Sequence, residues 1–206
     1  ILLEIFKSFN TFNPERFFIF LYEIGAFKDI LPLFSNEARL KLESLNYREV
    51  YFYSLNNGLN IEKLGFTYLF LSLIEIYKEN TLLDIFKNYV LPKEVISFLK
   101  TSIKAYYLLL EFNSNSVLSI IDIFKSQKSS IEIKAFLFIA KSLKLITKII
   151  YKEKVILKSI EELNSINIQD IISQGFKGKD IKFELERLSL LKIDEIMNLN
   201  NFKTNL

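Results

Sequence analysis

The apolar positions of this chain recur at helical spacing from one end to the other. Residues 1–9 read as a short amphipathic piece. Asn13 and Pro14 then form an N-cap followed by proline at the first helical position, and Gly25 closes that helix. Between them Phe17, Phe20, Leu21 and Ile24 make a stripe expected to face the core. A brief helical turn over Ala26–Leu31 is expected to stop at Pro32. Glu37–Leu45 and Tyr47–Leu55 alternate charged and apolar residues as surface helices do, and Asn56-Asn57-Gly58 is a loop. Leu59–Lys78 holds the most apolar stretch, which predicts a helix buried on most sides. Glu79–Val90 follows, and Pro92 opens a helix running to Phe112. The polar run from Asn113 to Ser116 is a loop or cap. Further helices are expected over Val117–Lys125, Ser130–Tyr151 and Lys154–Leu163, and residues 167–190 predict a short helix, a tight turn and a longer helix. The pattern specifies an all-α array of about ten helices with no sheet, in three segments. The segments are residues 1–55, 56–165 and 166–206.

Composition narrows the chemistry. The chain has 206 residues, enough for one domain or two small ones with a sizeable core. It contains no Cys and no His, which removes disulfides, thiolate metal sites, the commonest metal ligand and the usual general base near neutral pH. A cysteine-free chain fits a reducing, cytoplasmic setting. The excess of Ile, Lys, Asn and Phe is what A/T-rich coding produces, so the net charge of +3 carries little weight by itself. Mean hydropathy is +0.21. Even so, the longest charge-free apolar stretch, Leu64–Ile74, falls short of the ~20 residues a spanning helix needs, and no membrane partner is expected. No signal peptide is evident. The chain opens on Ile1 in what reads as mid-helix, so it is expected to be a piece of a longer protein.

Two stretches carry candidate chemistry. In Asn167–Leu190, Gly175 stands where a helix end needs positive φ. Gly178 opens the next helix, and Asp180 lies in its first turn. Lys177 and Lys179 flank Gly178, so the turn combines exposed backbone N–H groups, a helix N-terminus and two ammonium groups, the parts of a phosphate site. Both glycines are expected to serve the backbone, Gly175 by adopting positive φ and Gly178 by letting a phosphate approach the helix N-terminus. The second stretch is Lys134, Lys141, Lys144, Lys148, Lys152, Lys154 and Lys158, seven lysines within 25 residues against Glu153 alone. On one continuous helix 134, 141, 144 or 148, and 152 share a face. Solvated faces normally mix signs, whereas a one-sign stripe is the footprint of a polyanion. The absence of interleaved aromatics favours a duplex backbone over single strands.

The string QGFKGKDI…ELERLSL (174–190) resembles the C-terminal segment of bacterial tRNA nucleotidyltransferases (CCA-adding enzymes) and the related poly(A) polymerases. That segment closes on a Gly-hydrophobic-x-Gly turn, a hydrophobic at Ile181 and a polar helix. NPERFFIFLYEIGAFKDILPLF (13–34) resembles a second run of the same family, with Pro at the helix start, Arg, two bulky apolars, a Gly-Ala corner and Leu-Pro. The resemblance implies an RNA-binding role in tRNA processing, in which the chain grips the tRNA acceptor/TΨC arm. A separate N-terminal nucleotidyltransferase head, with its Mg2+ and CTP or ATP, would add nucleotides to the 3′ end.

Many relatives carry a metal-dependent phosphohydrolase region in the middle, marked by a His-Asp pair. Here Ile74 and Glu75 stand in the closest positions, and without histidine the usual metal site cannot be built. Asp84, Asp122 and Glu132 read as solvated carboxylates. No residue is therefore assigned a catalytic or metal-ligating role, and this chain needs no cofactor of its own. The implied RNA contacts are Lys134, Lys141, Lys144, Lys148, Lys152, Gly175, Lys177, Gly178 and Lys179. A helical protein-interaction module with no RNA role is the alternative.

Overall fold

The computed structural model describes residues 2–26, 35–77, 91–125 and 130–203. Among them are eleven helices and no strand, so the fold is all-α. They are α1 (Leu2–Ser8), α2 (Pro14–Glu23), α3 (Asn36–Glu43), α4 (Tyr47–Asn56), α5 (Ile61–Leu71), α6 (Lys93–Glu111), α7 (Ser114–Lys125), α8 (Ser130–Ser142), α9 (Ile149–Asn164), α10 (Ile168–Ser173) and α11 (Lys179–Lys203). The expected turn ending at Pro32, the helix over 79–90 and Asp84 lie outside the described residues.

Short polar side chains set several starts. The Ser35, Asn60 and Asn167 side chains accept from the backbone N–H of Ala38, Lys63 and Gln169, supplying acceptors to first-turn amides that have none within the helix. At α7, Asn113 accepts from the Ser116 amide at 2.9 Å while the Ser116 hydroxyl accepts from the Asn113 amide at 2.8 Å, a reciprocal capping box.

Two compact units emerge, Ile1–Tyr106 with Lys134–Leu145, and Tyr107–Ile133 with Ile146–Leu206. Within the first unit α4 packs on α5, and within the second α9 packs on α11.

The first unit is built on an aromatic core. Phe9, Phe18, Tyr47, Phe66 and Phe70 are essentially inaccessible. The Phe9 ring centroid lies 6.0 Å from Phe18, 6.1 Å from Tyr47 and 6.2 Å from Phe66, spacings at which aromatic pairs attract. The Tyr47 hydroxyl donates to the Phe9 carbonyl at 3.0 Å, satisfying a polar atom inside the core. Gly65 makes this fit possible, since a Cβ there would stand 2.5 Å from the Tyr47 hydroxyl and 2.6 Å from the Phe9 ring. Its helix, α5, is buried from Leu64 to Leu71, as its apolar run requires. It ends at Leu71 rather than Lys78. Bonds from Leu73 N to Phe70 O and from Ile74 N to Leu71 O tighten the chain into turns.

The stripe expected on α2 is rotated. Pro14, Glu15, Phe18 and Leu21 are buried, whereas Phe20 and Ile24 are more than half exposed. Phe18 wins because its ring meets both Phe9 and Phe17. In the second unit α7, α9 and α10 each pack on α11. Ile120, Ile121, Phe124, Val155, Ile156 and Ile193 fill the space between helices.

Candidate nucleic-acid interface

The seven lysines do not share one helix. The chain leaves α8 after Ser142 and re-enters a helix only at Ile149, so Lys134, Lys141 and Lys144 fall in the first unit and Lys148, Lys152, Lys154 and Lys158 in the second. The break is a Schellman turn. Leu145 N–H reaches the Ala140 carbonyl at 3.4 Å and Lys144 N–H the Lys141 carbonyl at 3.1 Å, which places Lys144 at the left-handed position with φ 54°. Lys148 is left-handed too, at φ 55°, as it starts α9. No Gly or Pro announces this turn. It coincides with the passage between units, where Leu145 and Ile146 are both buried, one in each.

On α8 the buried positions Ile133, Ala135, Phe136, Leu137, Ile139 and Ala140 leave a narrow outer stripe that carries Lys134 and Lys141, both exposed. Seven residues is nearly two full turns, so these two do share a face.

Lys152 departs from the expected interface. It is only 9 % exposed, and its ammonium donates to the Leu109 carbonyl at 2.6 Å and lies 5.0 Å from the centre of the Phe112 ring. Leu109 is in the last turn of α6, whose carbonyls lack intrahelical partners and carry the negative end of the helix dipole. Lys152 therefore caps a helix and does not face solvent. Burial lowers its pKa from the ordinary 10.5. Lys154 is exposed on α9. One helical turn on, Lys158 is exposed but pairs with Glu162 at 3.0 Å and Glu161 at 3.8 Å, and the Glu162 carbonyl and carboxylate both accept from Lys192 at 3.4 Å. Hydrogen bonds from Lys158 and Lys192 hold the Glu162 carboxyl below its ordinary pKa. The charge on this part of α9 is mixed, which dilutes the one-sign stripe.

The corner between α10 and α11 takes the expected course. Gly175 N–H returns to the Ile172 carbonyl at 3.0 Å with φ 96°, and Asp180 N–H reaches the Lys177 carbonyl at 3.0 Å. Lys177 and Lys179 are exposed, and Phe176 is half-buried. Gly178 differs from expectation in one respect. Its φ is 56°, and a Cβ there would meet nothing within 4 Å. The residue is needed for the backbone, as Gly175 is, so clearance for a phosphate is not its first role.

One gathering of charge was hidden in the sequence. In the first unit a pocket of about 450 Å³ is lined by Lys41, Lys141 and Lys144, by Asn46 and Glu49 at the start of α4, and by Tyr68. Tyr68 is 2 % exposed, and its hydroxyl is hydrogen-bonded by the Asn46 backbone. Burial pushes its pKa up to about 12, so the phenol stays protonated. Lys41 lies a hundred residues from Lys141, and no local pattern links them.

The middle-region carboxylates are dispersed. Glu75 is exposed opposite Lys41 at 3.5 Å, Ile74 is buried, Asp122 is exposed and Glu132 is half-buried. Among the described residues no three His, Cys, Asp or Glu side chains gather as metal ligands, and no helix is long and apolar enough to cross a membrane. No known protein family, curated protein or solved structure matches the chain.

Proposed function

We propose that this chain is the C-terminal helical region of a tRNA nucleotidyltransferase of the CCA-adding type, acting in the cytoplasm. It grips the acceptor and TΨC arms while a separate head performs the transfer. The observation that carries the reading is the Gly175–Lys179 corner. There the turn, the left-handed glycines, the two exposed lysines and the fresh N-terminus of α11 occur together within the run that resembles the family's closing segment. A phosphate brought to this corner would meet the positive end of the α11 dipole and two ammonium groups at once. Lys134 and Lys141 on the outer stripe of α8 would add contacts to the duplex backbone, which position an RNA without reading its bases.

The test is the affinity of the chain for an acceptor–TΨC minihelix, for whole tRNA and for an unrelated hairpin of equal length. Tighter binding of the first two is expected, and Lys177→Ala with Lys179→Ala should weaken minihelix and tRNA by the same factor, because only this arm is held. Equal affinity for all three RNAs would remove the recognition role and leave a helical interaction module as the better description.

A further inference from the structure

We propose that the pocket of the first unit lined by Lys41, Lys141, Lys144, Asn46, Glu49 and Tyr68 is a binding site for a small phosphorylated ligand, of the size and charge of a nucleoside monophosphate. The inference does not rest on the RNA reading.

Three lysines from two separate stretches of the chain, α3 and the end of α8 with the turn after it, line one concavity against the single carboxylate of Glu49. Like charges brought together cost energy unless solvent or an anion separates them. The hold on Lys41 is weak. Lys41 and Glu75 meet at 3.5 Å with side chains 32 % and 51 % exposed, and a pair so placed contributes little and yields readily to a dianion. Glu49 is occupied by the Asn46 side-chain amide at 3.4 Å.

The backbone at Lys144 points the same way. Its left-handed conformation is disfavoured for a residue bearing a Cβ, and glycine or asparagine is the ordinary occupant. A side chain kept at a strained position suggests a use for that side chain, and this one lines the pocket.

Tyr68 supplies the neutral donor. It is almost wholly buried yet forms part of the wall, and its hydroxyl is approached by the Asn46 backbone. A phosphate oxygen is a suitable acceptor, and the lysines would neutralise the remaining charge. At about 450 Å³ the pocket is within the range of small-ligand sites and larger than phosphate alone requires. Phe138 and Leu143 give it an apolar wall suited to a base or sugar face.

The test is calorimetric titration of the whole chain with AMP, inorganic phosphate and adenosine, beside the RNA minihelix. AMP should bind saturably, phosphate at least tenfold more weakly, and adenosine not measurably. Lys144→Gly is the informative variant because it relieves the turn and keeps the fold. It should raise the melting temperature and weaken AMP at least tenfold, as Lys41→Ala should without involving any residue assigned to RNA. No saturable binding of AMP or phosphate would overturn the proposal, as would AMP affinity unchanged in both variants. Loss of minihelix binding in Lys144→Gly with AMP never bound would assign this lysine to the RNA backbone and overturn the pocket. Minihelix binding that fails while AMP binds would overturn only the RNA reading.

Discussion

At the scale of residues, two lysines eleven positions apart illustrate how little the letter alone says. Lys141 is exposed at the end of α8, whereas Lys152 is buried and bonded to the last turn of α6. Lys152→Ala should therefore lower stability by about 1.5–3 kcal/mol, the range for removing a hydrogen bond made by a charged group, and leave RNA affinity within twofold. Lys141→Ser should do the reverse, and urea unfolding beside RNA titration separates the two. The pH dependence has a definite sign. Burial lowers the pKa of Lys152, so the folded chain releases this proton before the unfolded chain does. Its contribution to stability should grow as pH climbs toward 10.5. A Lys152→Met variant should lack that alkaline rise, which thermal melts across the window would reveal.

At the scale of elements, the corner between α10 and α11 and the turn between α8 and α9 use the same left-handed geometry with different residues. Gly175 and Gly178 both have positive φ with open space around them. Valine at either should strain the backbone by about 1 kcal/mol or more. Gly178→Val should thus lower the melting temperature, whereas a residue kept only for ligand clearance would leave it unchanged. Asparagine at 178 should cost less than valine, since it tolerates this region. The corner's glycines are visible in the sequence. The α8–α9 turn is not, because lysine ordinarily continues a helix.

At the scale of the whole molecule, the basic residues are divided rather than pooled. Lys134, Lys141 and Lys144 belong to one unit, and Lys154, Lys177 and Lys179 to the other. If each group meets RNA phosphates, removing Lys177 and Lys179 should lower the slope of log affinity against log salt by about 0.9 for each phosphate no longer neutralised. Removing Lys152 should not change it. An unchanged slope in the Lys177/Lys179 variant, measured between 50 and 200 mM salt or roughly that span, would identify the corner as a solvated basic surface.

The helical period, caps and prolines determined by themselves that this chain is all-α, and they placed most helix ends within a few residues. Those signals are local, since each is carried by side chains within one turn of the backbone they satisfy. The glycine corner was legible for the same reason. Tertiary structure decided which face of α2 is buried, through the meeting of Phe18 with Phe9. It also decided where the helix from Ser130 breaks, through the burial of Leu145 and Ile146 in different units. It assigned Lys152 to a carbonyl 43 positions away and brought Lys41 to the pocket that Lys141 and Lys144 line. These are contacts between distant segments, and helical periodicity describes which residues share a face without stating what that face will meet.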